Sequence, residues 1–154
     1  MSGLRMLFIS TMLLVAAPAA SAVEYQWRDI EGNSHSLADF RGRPVLLHFR
    51  ASWCPPCRSE MPELQAWSRQ HPEVQLVPVS LDRSVADAHA YLQAEGITFP
   101  VLHGETMQDS RIGMHGPPTT LIIAPDGSIR RMEPGLRPWS NQRFSDSILN
   151  KPKP

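Results

Sequence analysis

The chain has 154 residues and carries 15 basic and 15 acidic side chains, so its formal net charge is zero. This balance gives no reason to expect binding to nucleic acid or to an anionic membrane surface. The length suits one domain with a single core and is short for two. No internal repeat and no long block of like charge is present.

The first 22 residues have the pattern of a secretory signal peptide. Arg5 supplies a positive start, an apolar run of about 12 residues follows, and Ala20-Ser21-Ala22 is a small-x-small cleavage pattern. An uncleaved membrane anchor would need about 20 apolar residues, and this run is interrupted by Pro18. We therefore expect a signal peptide over residues 1–22, a domain over 23–150 and a disordered tail over 151–154.

Hydrophobic periodicity and turn residues predict alternating strands and helices along the domain. The run from Val45 to Phe49 is nearly all apolar, which is typical of a central strand covered on both faces. The pattern ends in a β-hairpin and a helix, and it indicates a three-layer α/β domain with a central mixed sheet and flanking helices. In chain order the predicted elements are a strand at 23–29, a helical turn at 36–40, a strand at 45–49, a helix at 54–70, a strand at 74–81, a helix at 85–95, a strand at 119–124, a hairpin turn at 125–127, a strand at 128–132 and a helix at 141–149.

Single residues refine some of these elements. Pro62 lies inside the first long helix, where it predicts a kink. Pro78 lies inside the following strand and favours a local irregularity or an edge position. The strand at 23–29 is expected at a sheet edge as well. Ser84 and Ser140 are the predicted N-caps of the second and last helices.

The stretch from Val45 to Glu60 carries the chemistry, because a strand leads there into Cys54-Pro55-Pro56-Cys57 and then into a helix. Cysteines three apart on a helix share one face, so their sulfurs can close a small disulfide ring or open to a dithiol. Proline suits the first helical turn, which places Cys54 at the helix N-terminus, where a thiol pKa can fall from ~8.5 to ~3.5. We therefore expect Cys54 to attack a substrate disulfide and Cys57, one turn inward, to resolve the mixed disulfide.

Two other roles for the cysteine pair are weaker. A structural disulfide between residues three apart would exclude little entropy from the unfolded chain. A structural zinc site usually needs four ligands, and the chain has no second cysteine pair. The sequence therefore predicts redox catalysis with no cofactor and no metal.

The string ASWCPPCRSEMPEL resembles the active-site segment of thioredoxin-fold thiol–disulfide oxidoreductases of the TlpA/ResA/DsbE-like family, which is extracytoplasmic. The segments SLADFRGRPVLL, ITFPVL and GPPTTLIIAPDG match the same family, and the match covers about residues 24 to 149. A CxxC at a strand-to-helix junction with a downstream Pro-Thr strand is a strong signal. The resemblance implies a thioredoxin-like topology, with a short strand and an inserted helix between about residues 97 and 115.

The resemblance also implies candidates for handling the proton. Glu60 matches a functional glutamate of ResA-like members and lies three residues after Cys57; the alternative is an ordinary solvated helix glutamate. His48 occupies the place of the buried aspartate of thioredoxin, and a buried histidine there is a candidate base. The alternative for His48 is a core histidine whose ring is simply hydrogen-bonded.

Three residues are implied to bind the substrate. Trp53 flanks the nucleophile, and Pro118 matches the cis-proline that lies opposite the CxxC in the family. Pro117 stands where relatives commonly have valine or isoleucine, and it has no N–H to donate to a bound peptide. Specificity is therefore expected to depend on side chains around Trp53, Arg50 and His115.

The predicted function is a periplasmic thiol–disulfide oxidoreductase that reduces specific protein disulfides, for example in cytochrome c maturation. Its expected partners are protein disulfides and dithiols and a membrane-bound redox partner, without nucleic acid, and the expected form is a monomer. The alternative function is a thioredoxin-fold copper chaperone that holds copper with the dithiol and a histidine. Such chaperones usually separate their cysteines by three residues, whereas only Pro55 and Pro56 separate them here.

Overall fold

The structure is a computed structural model that describes residues 25–97, 102–104 and 113–149. The predicted signal peptide and tail lie outside these residues, as does most of the stretch expected to hold an inserted helix. None of the helices in these three ranges is long and apolar enough to cross a membrane. The elements are β1 (Gln26–Arg28), β2 (Ser34–Ser36), a 3-10 turn (Leu37–Phe40), β3 (Val45–Arg50), α1 (Pro55–Gln70), β4 (Gln75–Ser80), α2 (Val85–Ala94), β5 (Leu102–His103), β6 (Thr119–Ile123), β7 (Ile129–Pro134) and α3 (Gln142–Leu149).

These strands form one sheet in the order β2-β1-β5-β4-β3-β6-β7. β3 runs parallel to β4 and antiparallel to β6, so that Leu47 lies opposite Val77 on one side and Leu121 on the other. Every residue of β3 is buried, as its apolar sequence predicts. The α/β domain with a central mixed sheet and flanking helices is therefore confirmed.

Side chains alternate between the two faces of β3, and one face is entirely apolar. Val45, Leu47 and Phe49 are fully buried in a core that also holds Trp27 from β1 and Leu121 from β6. Burying an aliphatic or aromatic side chain of this size contributes roughly 1.5–3 kcal/mol. This face therefore stabilises the sheet by removing apolar surface from water.

The opposite face of β3 carries Leu46, His48 and Arg50 and lies under the helices. Leu46 packs in a second core, which includes Met61 and Leu64 from α1. His48 and Arg50 are fully buried on this side, although both are ionisable. β3 thus brings two titratable side chains into the interior beneath α1.

α1 begins at Pro55 with Cys54 as its N-cap, and it ends at Gln70, so the predicted limits are confirmed. The backbone of Cys54 is extended, and its sulfur accepts a hydrogen bond from the N–H of Cys57. Proline is tolerated in the first turn because no intrahelical partner is lost there. The chain therefore turns from β3 into α1 at the first cysteine.

The predicted edge position of β1 is wrong, and so is the edge alternative for the strand that contains Pro78. β1 pairs with β2 on one side and with β5 on the other, so it is not an edge strand. β4 lies between β5 and β3, so Pro78 lies within the sheet. In the described residues the pairing of β5 with β4 begins only at Val79, so Pro78 precedes that ladder.

The predicted helix caps have mixed outcomes. Ser84 caps α2 as predicted, because its hydroxyl accepts a hydrogen bond from the N–H of Asp87. Ser140 does not cap α3. The side chain of the next residue, Asn141, accepts a hydrogen bond from the N–H of Phe144 at 3.1 Å. Asparagine caps as well as serine, so the choice between adjacent residues was not fixed by residue type.

Candidate active site

Cys54 and Cys57 form a disulfide at the first turn of α1. Cys54 is 5% exposed and Cys57 is fully buried, so the first cysteine is the one that a substrate can approach. The N–H of Cys57 donates to the sulfur of Cys54 at 3.3 Å. In the reduced protein this donor and the helix N-terminus would both favour a thiolate on Cys54.

The loop before β6 lies against this disulfide. The peptide bond between Pro117 and Pro118 is cis, and the carbonyl oxygen of Pro117 lies 3.7 Å from the sulfur of Cys54. The carbonyl of Pro118 accepts a hydrogen bond from the N–H of Gly135 at 2.7 Å. The structure therefore places both prolines beside the first cysteine, and Pro117 has no N–H to offer there.

The surface next to Cys54 is aromatic and rich in proline. Trp53 is 64% exposed, and Pro55 and Pro56 are exposed as well. A cavity of about 680 Å³ lies beside Trp53, and its wall includes Tyr91 from α2. This surface offers apolar contact area directly beside the disulfide.

Arg50 does not belong to this surface, contrary to the sequence prediction. It is fully buried, and its guanidinium carbon lies 4.1 Å from the centre of the Tyr91 ring. Burial lowers the pKa of Arg50, and the charge of Asp82 opposes that shift. A bound substrate therefore cannot touch Arg50 without a rearrangement, whereas His115 in the proline loop is exposed.

Asp82 fixes the connection from β3 to α1. Its carboxylate accepts hydrogen bonds from the N–H and the hydroxyl of Ser52, at 2.8 and 2.7 Å, and from the hydroxyl of Ser80 at 2.7 Å. Ser52 lies two residues before Cys54, so these bonds hold the segment that presents the nucleophile. The sequence analysis did not find Asp82, because its partner Ser52 is 30 residues away along the chain.

Glu60 is buried, so the interpretation as an ordinary solvated glutamate is wrong. Only 3% of the surface of Glu60 is exposed. Its Oε1 accepts hydrogen bonds from the N–H of Arg137 at 3.0 Å and from the indole N–H of Trp139. Burial raises the pKa of Glu60 above its ordinary value, and the two hydrogen bonds oppose this rise. Glu60 therefore keeps its proton to a higher pH than an exposed glutamate does.

His48 is the second buried titratable group. Its Nδ1 lies 2.9 Å from the hydroxyl of Thr120, and its Nε2 lies 4.0 Å from Oε2 of Glu60. Neither Nε2 nor Oε2 has a hydrogen-bond partner in the part of the chain that the structure describes. Burial, together with the positive charge of Arg50, lowers the pKa of His48 to about 3. The ring is therefore neutral at neutral pH.

The pair of His48 and Glu60 can take up or release one proton. A neutral imidazole has one donor and one acceptor nitrogen, and the hydroxyl of Thr120 can either donate or accept. One tautomer of His48 presents an acceptor to a protonated Glu60, and the other presents an N–H to the carboxylate. The separation of 4.0 Å exceeds a hydrogen bond, so direct contact needs an approach of about 1 Å.

The sequence analysis missed Thr120, Arg137 and Trp139 as partners of this pair. A buried tryptophan needs an acceptor for its indole N–H, which was the available signal at Trp139. That acceptor is Glu60, which lies 79 residues earlier. Nothing local in the sequence indicates which acceptor it finds.

Metal ligands are not grouped at the cysteines. Across residues 25–97, 102–104 and 113–149, no group of three or more His, Cys, Asp or Glu side chains is arranged to hold a metal ion. The copper-binding alternative needs a histidine beside the dithiol. The described residues therefore give it no third ligand.

Comparisons with known proteins identify the family of the chain. The AhpC/TSA family model matches residues 16–132. The chain is 34% identical over 110 residues to the thiol-disulfide oxidoreductase ResA of Oceanobacillus iheyensis. The aligned residues cover 70% of this chain and 57% of that protein. It is 32% identical over 139 residues to the sporulation thiol-disulfide oxidoreductase A of Bacillus subtilis, covering 81% of this chain and 82% of that protein.

A solved structure gives the same result. A crystal structure described as a thiol:disulfide interchange protein DsbE from Chlorobium tepidum matches with a TM-score of 0.72 and 28% identity, over 82% of this chain and 91% of that one. The match confirms the predicted thioredoxin-like topology. The chain therefore belongs to the AhpC/TSA family, and it is one of the thioredoxin-fold thiol–disulfide oxidoreductases of that family.

Proposed function

We propose that this protein is a periplasmic reductant that transfers electrons from the dithiol of Cys54 and Cys57 to specific protein disulfides. The observation that carries the proposal is the buried pair of His48 and Glu60, because Glu60 follows Cys57 by one turn of α1. Resolving a mixed disulfide requires a base that takes the proton of the second thiol. In the direction of substrate reduction, the buried pair would act as this base.

The reaction has two exchanges. The thiolate of Cys54 attacks one sulfur of the substrate disulfide, forms a mixed disulfide and releases the other substrate sulfur as a thiolate. The thiol of Cys57 then gives its proton to the His48 and Glu60 pair and attacks the sulfur of Cys54, which releases the second substrate thiolate. The substrate gains two electrons and two protons, one by way of the buried pair and one from solvent. The enzyme is left as the disulfide.

Substrate binding uses the surface beside Cys54. An extended substrate segment lies along the cis-proline loop, where the carbonyl of Pro117 accepts a main-chain hydrogen bond and Pro118 shapes the loop. Trp53 supplies an exposed apolar contact next to the reacting sulfur. Because Pro117 offers no N–H, side chains on the substrate have a larger share in recognition than its main chain has.

Location and partners follow from the leader pattern and the family resemblance. The pattern over residues 1–22 supports export to the periplasm. A membrane-bound dithiol donor restores the reduced state there, and a disulfide of an apocytochrome c in cytochrome c maturation is the proposed substrate. The protein acts as a monomer in this scheme.

Trapping of the mixed disulfide tests the proposal. Cys57→Ser removes the resolving thiol, so the variant should accumulate mixed disulfides with disulfide-containing proteins, as detected on non-reducing gels. Cys54→Ser is the matched control and should trap none. Trapping by Cys54→Ser instead would reverse the roles of the two cysteines. A reduction potential near the roughly −120 mV of a strong oxidant, and not near the roughly −270 mV of thioredoxin, would contradict the reductant role.

A further inference from the structure

Arg50 is a buried cation without a close anion. It ends β3 and is fully buried. None of its three guanidinium nitrogens has a hydrogen-bond partner among the described residues, and no carboxylate in those ranges lies within 4.0 Å of it. Buried arginines normally have a paired anion, because removing a charge from water is costly. The interior therefore holds a positive charge that has no directly bonded anion and is offset only by the more distant charge of Asp82.

The charged groups around Arg50 come from several elements. His48 shares its face of β3, and its pKa is lowered by the charge of Arg50. Asp82, after β4, is a negative charge that acts on Arg50, but its carboxylate already accepts hydrogen bonds from Ser52 and Ser80. From α2, the ring of Tyr91 lies against the guanidinium at 4.1 Å.

The helix above this face adds a cation and an acid. Arg58 of α1 lies 5.9 Å from the same Tyr91 ring, and its side chain is 58% exposed and 3.6 Å from Glu95. Glu60 of α1 is buried. The two arginines thus contact one ring from opposite environments, since Arg50 is in the interior and Arg58 is in solvent.

We propose that Arg50 is a positioning residue of the redox site, whose fixed positive charge beneath the connection from β3 to α1 stabilises the Cys54 thiolate. The proposal rests on the proposed function, because it assigns Arg50 to the same dithiol. Charges in a protein interior interact more strongly and are screened less by salt than charges at the surface. Arg50 ends β3 four residues before Cys54, and the N-terminus of α1 acts on the thiolate in the same direction.

The proposal predicts the direction in which Arg50 shifts the thiol pKa and the reduction potential. A positive charge favours the anionic form of a nearby acid, so Arg50 lowers the pKa of the Cys54 thiol in the reduced protein. A more stable thiolate favours the reduced protein and makes its reduction potential less negative. Removing the charge should reverse both effects.

The experiment compares Arg50→Met, Arg50→Lys and Arg58→Met in the reduced, purified protein. The thiol pKa is measured from the ultraviolet absorbance of the thiolate, and the reduction potential is measured against glutathione. Arg50→Met should raise the thiol pKa by about one unit, a tenfold change in thiolate fraction below the pKa. If the equilibrium constant with glutathione changes by the same factor of ten, the reduction potential becomes more negative by about 30 mV. Arg50→Lys should leave the thiol pKa and the reduction potential close to those of the wild-type protein, because it keeps the charge.

Arg58→Met is the matched control, because it removes an arginine from the same ring where solvent screens the charge. It should shift the thiol pKa by less than about 0.3 units. Equal shifts in Arg50→Met and Arg58→Met, or no shift in a folded Arg50→Met protein, would overturn the proposal.

A measurement on the wild-type protein covers the case in which Arg50→Met does not fold. The depressed thiol pKa should persist in about 1 M salt, where the Debye length is about 3 Å and surface charges are screened. A thiol pKa that returned to the ordinary value of about 8.5 in that salt would contradict the proposal. Disulfide trapping by Cys57→Ser reports on the proposed function separately, because it does not depend on the charge at Arg50.

Discussion

The two faces of β3 contribute opposite terms to the free energy of folding. The face with Val45, Leu47 and Phe49 removes apolar surface from water and stabilises the sheet. The face with His48 and Arg50 buries ionisable groups, which costs stability, but it brings His48 to Glu60 of α1 and Arg50 to Tyr91 of α2. Alternation along one strand therefore places only apolar side chains on one face, in the core that also holds Cys54 and Cys57, and two ionisable side chains on the other.

The largest effect is expected on the apolar face. Leu47→Ala should lower the free energy of unfolding by about 2–5 kcal/mol, because it leaves a cavity in a fully buried core. Urea denaturation measures this loss. The pH profile of thiol–disulfide exchange should stay the same for the folded variant. A changed profile would mean that the two faces are not independent.

The opposite face should respond to pH through His48. Its folded-state pKa of about 3 lies below its ordinary value of about 6.5, so the unfolded chain binds a proton that the folded protein does not. Wild-type stability should therefore fall as the pH drops from about 6.5 towards 3, by at most ~1.4 kcal/mol per unit from this group. His48→Asn should reduce that slope in urea denaturation at several pH values.

Glu60 acts in the other direction in that experiment. Its pKa is raised in the folded protein, so its contribution to stability is present at low pH and is lost as the pH rises through the folded value. The difference between wild type and His48→Asn therefore isolates the histidine. If the stability of His48→Asn depended on pH as steeply as that of the wild-type protein, the ring of His48 would not be neutral in the folded protein.

The proton pair should also control the exchange rate. Glu60→Gln keeps the shape of the side chain and removes its titration, so it should slow resolution by Cys57 about tenfold and shift the pH profile of exchange. Stopped-flow kinetics of mixed-disulfide decay measures this step. Glu63→Gln is the matched control, since Glu63 is an exposed carboxylate on the same helix. Similar pH profiles of exchange for Glu60→Gln and Glu63→Gln would mean that Glu60 has only a structural role.

The smallest effect is expected at the surface. Pro117→Val restores a main-chain N–H beside Cys54, and one such hydrogen bond is worth a net ~0.5–1.5 kcal/mol where it forms. Rates with unselected peptide disulfides should therefore rise several-fold. Equal or slower rates, with the fold and the reduction potential unchanged, would show that a missing N–H does not limit general substrates.

The local features of this fold could be predicted from the sequence. β3 is a continuous apolar run, and the start of α1 is set by Cys54 followed by two prolines, so both were placed correctly. The place of β1 between β2 and β5 was not predictable in this way. It depends on pairing between segments far apart in the chain, which no local pattern encodes.

The same limit applies to the site. The cysteines could be taken from motif and spacing, whereas the cis-proline and Glu60 as a candidate came from the family resemblance. The burial of Glu60 could not, because it results from Arg137 and Trp139 in the segment before α3. Arg50 was expected to contribute to the surface around Cys54, but it is buried. Tyr91 of α2 lies against it instead.

The hydrogen bond between Pro118 and Gly135 joins the outer surface of the site to its interior. Gly135 begins a three-residue connection that ends at Arg137, whose N–H donates to Glu60. The cis-proline loop and the buried carboxyl of Glu60 are therefore held by one short stretch of backbone, residues 135–137.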